Sequence, residues 1–404
     1  MNGAQVRQDC AISGGKTRIN DDDVVIAASW RTGTGRFRGA LSGMSAVEMA
    51  TDLVKRGLRC SGLSADIFDQ VILGNVLGTG SKQNVARQVQ LGAGMPITGT
   101  AMTINQVCGS GLKAIRLAQS AIAMGDASVV LAGGAESMSN ATAFARRVGK
   151  NEFDFNHWHD TLHYDALNDA FGDYAMGVTA ENLAQRFGVG REVLDQYAVD
   201  SQRKASTAWD AGCFDDEVLP VGGLERDETM RPGTSMEGLA KLKPVYDSDG
   251  IVTAGNTSPL SDGAAVMVVT TMAKARELGL KAQAVIRGYA EVGYRPDQMG
   301  YATIPAIKKV LERCAQRVSD IDLYEVNEAF ATQAWLTREQ LGIDPARYNI
   351  SGGALALGHA LGASGARILT TLVHNLRRTG KSLGVAALCV GGGQGVAMEV
   401  ENIR

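Results

Sequence analysis

Two stretches that lie far apart in this sequence repeat one local pattern. In the first, Gly-Ser-Gly at 109–111 precedes a helix-like run, LKAIRLAQSAIAMGD, and a strand-like run, SVVLAGGAES. In the second, Ala-Ser-Gly at 363–365 precedes ARILTTLVHNLRRTG and GVAALCVGGGQG. An earlier pair, at 66–80 and 319–333, occurs in the same order. A single pair is a common likeness between α/β units, but two pairs predict two copies of one unit packed face to face.

Composition limits the class of protein. The 404 residues exceed what one hydrophobic core usually serves. A formal net charge of −3 gives no basic field for nucleic acid or an anionic membrane. The six cysteines form no CxxC pair, which favours reduced thiols over a disulfide framework or a zinc module. These reduced thiols lead us to expect a cytoplasmic protein, and no apolar run reaches the roughly 18 residues that a membrane span needs.

Strand-like and helix-like runs alternate, which is typical of a parallel sheet covered by helices. Residues 141–256 break that rhythm with aromatic, charged and turn-forming stretches, so we expect an inserted, loop-rich domain there. The predicted division is a loose polar tail at 1–22, a first half at 23–140 plus about 257–282, the insertion, and a second half at 283–404.

Cys108 is the first candidate for chemistry. It precedes Gly-Ser-Gly at the start of a predicted helix, whose N–H groups and dipole favour a thiolate. We therefore expect a lowered pKa and a nucleophilic thiol. The alternative is a small buried packing residue.

His359 and Cys389 occupy glycine-rich turns of the second half. His359, in GHALGASG, is either a structural histidine or a base that takes a proton from a thiol. Cys389, in AALCVGGGQG, is either a strand-core residue or a second thiol that moves protons. Two thiols and one imidazole without metal-ligand spacing favour covalent acyl chemistry.

Three further polar groups have two interpretations each. Asn327 and Glu328 either cap a helix or offer an amide to a water or ligand. Ser258 either caps a turn or binds a ligand amide. Histidines spaced HxHxxxH from residue 157 have acidic and aromatic neighbours, which favours a solvated patch over a metal site.

The segments that contain these residues make the sequence resemble the thiolases. The segments that carry the resemblance are TINQVCGSGLKA, NEAFA (327–331), GGALALGHALGASGAR (352–367) and LCVGGGQG (388–395). The likeness extends in order over about residues 23–404. It implies an α/β fold with five layers, αβαβα, built from two βαβαβαββ halves with an inserted loop domain that holds coenzyme A.

The resemblance also implies roles. Cys108 would be acylated, His359 would activate it, and Cys389 would be the acid/base of the carbon–carbon step. Asn327, through a water, would form one oxyanion hole with His359, and the N–H groups of Cys108 and Gly391 the other. The residues implied to line the pantetheine tunnel are Met176, Ala254, Ser258, Leu260, Ala329 and Phe330.

The activity implied is an acetyl-CoA C-acetyltransferase that condenses two acetyl-CoA to acetoacetyl-CoA and CoA, or runs the reverse thiolysis. Its partners would be these thioesters and further copies of the chain, as a dimer or tetramer, with no metal or resident cofactor. A 3-ketoacyl-CoA thiolase of broader chain length and a non-catalytic acyl-CoA-binding protein are the alternatives.

Two positions and one loop depart from the family pattern. Ala360 stands where proline usually follows the histidine, which we expect to loosen His359 and lower the rate modestly. Ala175 stands where acetoacetyl-CoA enzymes commonly show histidine. The loop GGLERDETMRPGTSMEG is short and has few cations for the phosphates of coenzyme A.

Overall fold

A computed structural model describes residues 19–403, so most of the expected loose tail at 1–22 lies outside the described residues. The described strands are β1 Val24–Arg31, β2 Gly35–Arg36, β3 Gln70–Gly74, β4 Thr100–Ile104, β5 Val129–Ser137, β6 Ala143–Arg147, β7 Phe153–Asp160, β8 Ser261–Thr271, β9 Ala284–Gly293, β10 Leu323–Val326, β11 Leu383–Val390 and β12 Gln394–Asn402. The α-helices are α1 Ala46–Ser61, α2 Val85–Gly92, α3 Ser110–Met124, α4 Met176–Phe187, α5 Arg191–Asp210, α6 Met236–Ala240, α7 Met272–Glu277, α8 Thr303–Arg313, α9 Ala331–Leu341, α10 Ala354–Leu357 and α11 Leu361–Thr379. Within residues 19–403, no helix is both long and apolar enough to cross a bilayer.

The main sheet contains the same strand arrangement twice. Its order is β10-β11-β12-β9-β1-β8-β5-β3-β4, and β2 pairs with β8. In the first half, β3 and β5 pair in parallel, whereas β5 with β8 and β8 with β1 pair antiparallel. In the second half, β10 and β11 pair in parallel, whereas β11 with β12 and β12 with β9 pair antiparallel. A single parallel bridge, Tyr324 to Tyr348, stands where the first half has β4. This arrangement confirms the predicted repeat.

Each half also contains an equivalent carboxylate that joins two of its parallel strands. Asp69 Oδ2 accepts from the N–H of Val129, which opens β5, at 3.0 Å. Asp322 Oδ2 accepts from the N–H of Leu383, which opens β11, at 3.0 Å. Each carboxylate precedes one parallel strand and ties it to the next, so the duplication extends to individual side chains.

Alternating side chains of the strands separate five layers. Along β5, Val130 faces a core shared with α3 and α11, whereas Leu131 faces a core shared with α1 and α2. Along β11, Leu388 joins the central core and Ala387 faces α8 and α9. Two helices therefore lie between the sheet halves, with further helices outside, which agrees with the expected αβαβα order.

The central helices, α3 and α11, approach each other through glycines. A Cβ added at Gly111 would lie 2.7 Å from the backbone nitrogen of Ala366, which is closer than real Cβ contacts. A Cβ at Gly365 would collide with Leu112 in the same way. The small-residue turns that revealed the repeat are therefore needed for this packing.

Residues 138–260 connect β5 to β8 and contain the β6–β7 hairpin and α4 to α6. The longest helix of this segment is α5. Leu183 of α4 and Leu194 of α5 pack in the same apolar cluster as α8 and α9. The segment thus lies on the outer face of the second half, while the domain limits at 141–256 stay a prediction.

Candidate active site

One cavity of about 420 Å³ brings most of the candidate residues together. Cys108, His359 and Gly391 line it, although they come from different halves of the chain. All six tunnel candidates line it as well: Met176, Ala254, Ser258, Leu260, Ala329 and Phe330. Asn327 and Cys389 are fully buried and are not among its lining residues. A largely apolar cavity of this size with a few convergent polar groups is typical of a site for a small molecule.

Cys108 sits in a turn whose backbone is constrained. The preceding residue, Val107, has φ +45°, an outlier for a β-branched side chain. Ser110 Oγ donates to Val107 O at 2.7 Å and accepts from Gln106 N at 2.8 Å. These bonds hold the turn in place and put the thiol at the cavity wall, just before α3.

The pKa of Cys108 contradicts the prediction from the sequence. Burial raises the pKa of the thiol to about 11, although the N–H groups of Gly391 and of Cys108 itself point at the sulfur and lower it. The thiol is 6% exposed, so loss of hydration outweighs the helix end. The resting group is therefore a neutral thiol, which needs a base when it reacts.

His359 lines the same cavity and keeps a free ring nitrogen. Its Nδ1 lies 2.6 Å from Ser364 Oγ, and this hydroxyl donates to Ala360 O at 2.8 Å. The hydroxyl hydrogen is thus committed, so Nδ1 carries the imidazole proton and Nε2 keeps its lone pair. Burial, and then the charge of Arg367, lower the pKa of His359 to about 3, which keeps the ring neutral.

Asn327 follows β10 with its side chain turned towards the histidine. Its side-chain Nδ2 lies 3.4 Å from His359 Nε2. Its backbone N–H donates to Ala387 O at 2.9 Å. The buried Oδ1 accepts no hydrogen bond from the described residues. A buried amide oxygen without a partner is costly, so this position suits a water or a ligand group.

The helix-capping interpretation of Asn327 and Glu328 is wrong. Helix α9 begins at Ala331 with Phe330 as its cap. Glu328 instead accepts from Tyr197 Oη at 2.9 Å and from other buried donors. Its role is to join the inserted segment to the second half.

Cys389 lies on β11 opposite Gly395, with no exposed surface. Burial, followed by the charge of Cys108, raises the pKa of Cys389 far above its usual value. At Gly391 a Cβ would lie 3.2 Å from Val107 Cγ1, so glycine leaves room for the Cys108 turn.

The spaced histidines do not converge. His157 pairs with Asp154 at 2.7 Å on the surface, His159 stacks on Phe144, and His163 lines the cavity. Across residues 19–403, no group of three or more His, Cys, Asp or Glu side chains could hold a metal ion.

Several lining residues were not identified from the sequence. They come mostly from the inserted segment and include Met138, His163, Leu167, Arg231, Tyr246, Met299 and Leu361. Two had a signal: His163 belongs to the spaced histidines, and Arg231 is one of the few cations in the loop expected to hold coenzyme A. The apolar residues resemble any core position until the fold brings them to the cavity.

Family models match nearly the whole described chain. The thiolase N-terminal domain matches residues 24–273 and the thiolase C-terminal domain matches residues 280–402. The chain belongs to the thiolase family. The division between the two thiolase domains falls between β8 and β9, where the strand arrangement begins to repeat.

Similar thiolases are known from several organisms. The acetyl-CoA acetyltransferase of Allochromatium vinosum is 46% identical over 95% of this chain and 100% of its own length. The probable acetyl-CoA acetyltransferase of Escherichia coli K12 is 48% identical over 94% and 99%.

Solved thiolase structures superpose closely on this fold. The crystal structure of the Bacillus anthracis acetyl-CoA acetyltransferase gives a TM-score of 0.90 at 39% identity, covering 94% of this chain and 99% of that one. Human mitochondrial 3-ketoacyl-CoA thiolase in complex with CoA gives 0.91 at 38% identity, covering 95% and 99%.

Proposed function

We propose that this thiolase is an acetyl-CoA C-acetyltransferase that works through an acyl-Cys108 intermediate. The observation that carries the proposal is the single cavity that unites Cys108, His359 and Gly391 with the tunnel residues. Relatives that match nearly the full chain and are named acetyl-CoA acetyltransferase support the same activity.

In the first half-reaction the sulfur of Cys108 attacks the carbonyl carbon of acetyl-CoA, and His359 Nε2 accepts the thiol proton. The bond between that carbon and the CoA sulfur breaks, and Cys389 donates a proton to the departing sulfur. CoA leaves as the thiol. The acetyl group stays on Cys108, with an imidazolium and a Cys389 thiolate beside it. Each of these charges favours the other, which offsets the low pKa of His359 in the resting site.

In the second half-reaction the Cys389 thiolate takes a proton from the methyl group of a second acetyl-CoA. The resulting enolate attacks the acetyl carbon, the bond to Cys108 breaks, and acetoacetyl-CoA forms. His359 returns its proton to the Cys108 sulfur. Burial raises the pKa of Cys389, which makes its thiolate a strong enough base for a carbon acid.

Two sets of donors would stabilise the charged oxygens of these steps. We assign one to the N–H groups of Cys108 and Gly391, which already point at the sulfur. We assign the other to His359 and a water held by Asn327, whose Oδ1 lacks a partner among the described residues. Loss of one such donor costs about 3–4 kcal/mol of barrier.

For coenzyme A we propose a path along Met176, Ala254, Ser258, Leu260, Ala329 and Phe330, with the segment 141–256 as its binding domain. Arg231 lines the cavity and supplies one cation in the short loop. We propose no resident cofactor or metal, a homo-oligomer and a cytoplasmic location.

A second candidate is a 3-ketoacyl-CoA thiolase that accepts longer chains. Ala175, at the start of α4, lines the cavity with only a methyl group. The neighbouring Leu167 and Met176 leave the wall apolar. An aliphatic chain could bury its methylene groups against these apolar side chains.

One assay separates these activities from binding alone. Loss of acetoacetyl-CoA absorbance is followed in the presence of free CoA. The measurement is then repeated with 3-ketohexanoyl-CoA as the substrate instead of acetoacetyl-CoA. Turnover of the four-carbon substrate alone supports the main proposal, and comparable turnover of both supports the broader thiolase. No turnover of either would leave an acyl-CoA-binding protein.

Two variants test the assigned roles. Cys108→Ser should nearly abolish acylation, because the hydroxyl is a poorer nucleophile. Cys389→Ser should accept the first acyl group yet turn over poorly. Cys60→Ser, which changes an exposed thiol, is the matched control and should behave as the wild type.

A further inference from the structure

Glu136 is a fully buried carboxylate without a part in these steps. It lies near the end of β5. Four N–H groups point at its oxygens: Asn75 Nδ2 at 3.0 Å, and the backbone nitrogens of Val76, Leu77 and Gly362 at 3.0, 3.1 and 2.8 Å. This number of donors around one side chain is an acceptor site for an ionised carboxylate.

The four donors come from both halves. Residues 75–77 follow β3 of the first half, whereas Gly362 lies in the first turn of α11, three residues after His359. Ser364, the partner of His359 Nδ1, lies in the same turn. The carboxylate therefore links the first turn of α11, which begins two residues after His359, to the half that carries Cys108.

Glycines make this contact possible. A Cβ at Gly362 would lie 2.9 Å from Asn75 Cα and 3.0 Å from Glu136 Oε2. A Cβ at Gly134 would collide with the carbonyl oxygen of Gly362. Glycine at both positions therefore lets the two backbones come close enough for the Gly362 N–H to reach the Glu136 carboxylate.

We infer that Glu136 is a positioning residue, whose carboxylate holds the first turn of α11 so that His359 meets Cys108. The inference rests on the proposed function, because it concerns the same reaction. A shorter or uncharged side chain leaves some of the four N–H groups without a full acceptor, and the turn is then free to shift.

The charge state of Glu136 provides a signature. Burial raises the pKa of Glu136 to about 7, although the N–H groups of Leu77, Gly362 and Val76 lower it. The titratable groups that face it are Asp262 of β8, whose charge raises this pKa further, and Cys108 before α3, whose own pKa the carboxylate raises. Protonation below pH 7 turns the acceptor into a carboxyl group that binds the N–H groups less well.

Glu136→Gln keeps the length of the side chain and removes its charge. The kcat for thiolysis is normalised to the concentration of protein whose Cys108 can be labelled with acetyl. This kcat should fall about tenfold or more, with KM changed by less than about threefold. The wild-type kcat should fall as the pH is lowered from about 8 to 6, whereas the variant should stay low and flat. Glu399→Gln, which alters a buried carboxylate on β12, should keep the wild-type kcat and pH profile.

An unchanged kcat and pH profile in Glu136→Gln would overturn the inference. If instead the wild type takes no acetyl label and cleaves no acetoacetyl-CoA, the proposed function has failed, which is a separate result. Should Glu136→Gln not fold, Asn75→Ser removes one of the four donors and should lower kcat about two- to fivefold. No loss in that variant would equally overturn the inference.

Discussion

Ser364→Ala tests how His359 is made a base. The hydroxyl is buried, lies 2.6 Å from Nδ1 and is the only acceptor for that N–H among the described residues. Its removal leaves a buried donor unpaired when the ring is neutral and, more importantly, when the ring is an imidazolium. A lost hydrogen bond to a charged group costs about 1.5–3 kcal/mol. At about 1.4 kcal/mol per tenfold, kcat should fall roughly 10- to 150-fold.

The assay is the loss of acetoacetyl-CoA absorbance with CoA, from which kcat and KM are both taken. KM should change little, because Ser364 does not line the cavity. The control is Ser351→Ala, since the Ser351 hydroxyl is also buried and donates to Asn375 Oδ1 at 2.9 Å. Equal kcat values for the two variants would refute the assignment of Nε2 as the base, because the tautomer would not then depend on Ser364.

Three further predictions concern Ala360 next to His359, the thiol of Cys108, and the contact between the central helices. Ala360→Pro should raise stability to denaturant by about 0.4–1 kcal/mol with kcat unchanged or slightly higher, because φ at this residue is −75°, which proline adopts; a lower midpoint would contradict this. The rate of Cys108 alkylation by iodoacetamide should rise with pH until about pH 11, since burial raises the pKa of the thiol to about 11. A plateau near neutral pH would contradict this and support the lowered pKa predicted from the sequence. Gly111→Ala should destabilise the fold by about 1–3 kcal/mol because its Cβ would meet Ala366 N at 2.7 Å, whereas Gly43→Ala has nothing within 4 Å and should be neutral; similar unfolding midpoints would refute the close helix contact.

Local sequence patterns predicted the duplicated fold well. Gly111 and Gly365 revealed the repeat because the same close helix contact must be made in each copy. The residues proposed to line the tunnel and to react could be named because the family resemblance carried them position by position. Cys108 was also placed correctly before α3 from its glycines alone.

The sequence could not predict what depends on distant neighbours. The helix end at Cys108 was visible, but the burial that outweighs it in the pKa exists only in the folded core, where residues distant in sequence surround the thiol. The contact between Glu136 and Gly362 joins residues 226 positions apart. Ser364 showed no sign of its role, because its partner atom on His359 is fixed only once the turn has formed.

The most direct test of the account is transfer of an acetyl group to one sulfur. Wild-type protein is mixed with [1-¹⁴C]acetyl-CoA, quenched in acid and digested, and the labelled peptide is identified. The account predicts label on Cys108 alone, released by free CoA and absent from Cys108→Ser. Label on Cys389, or none on any cysteine while acetoacetyl-CoA is still cleaved, would contradict it.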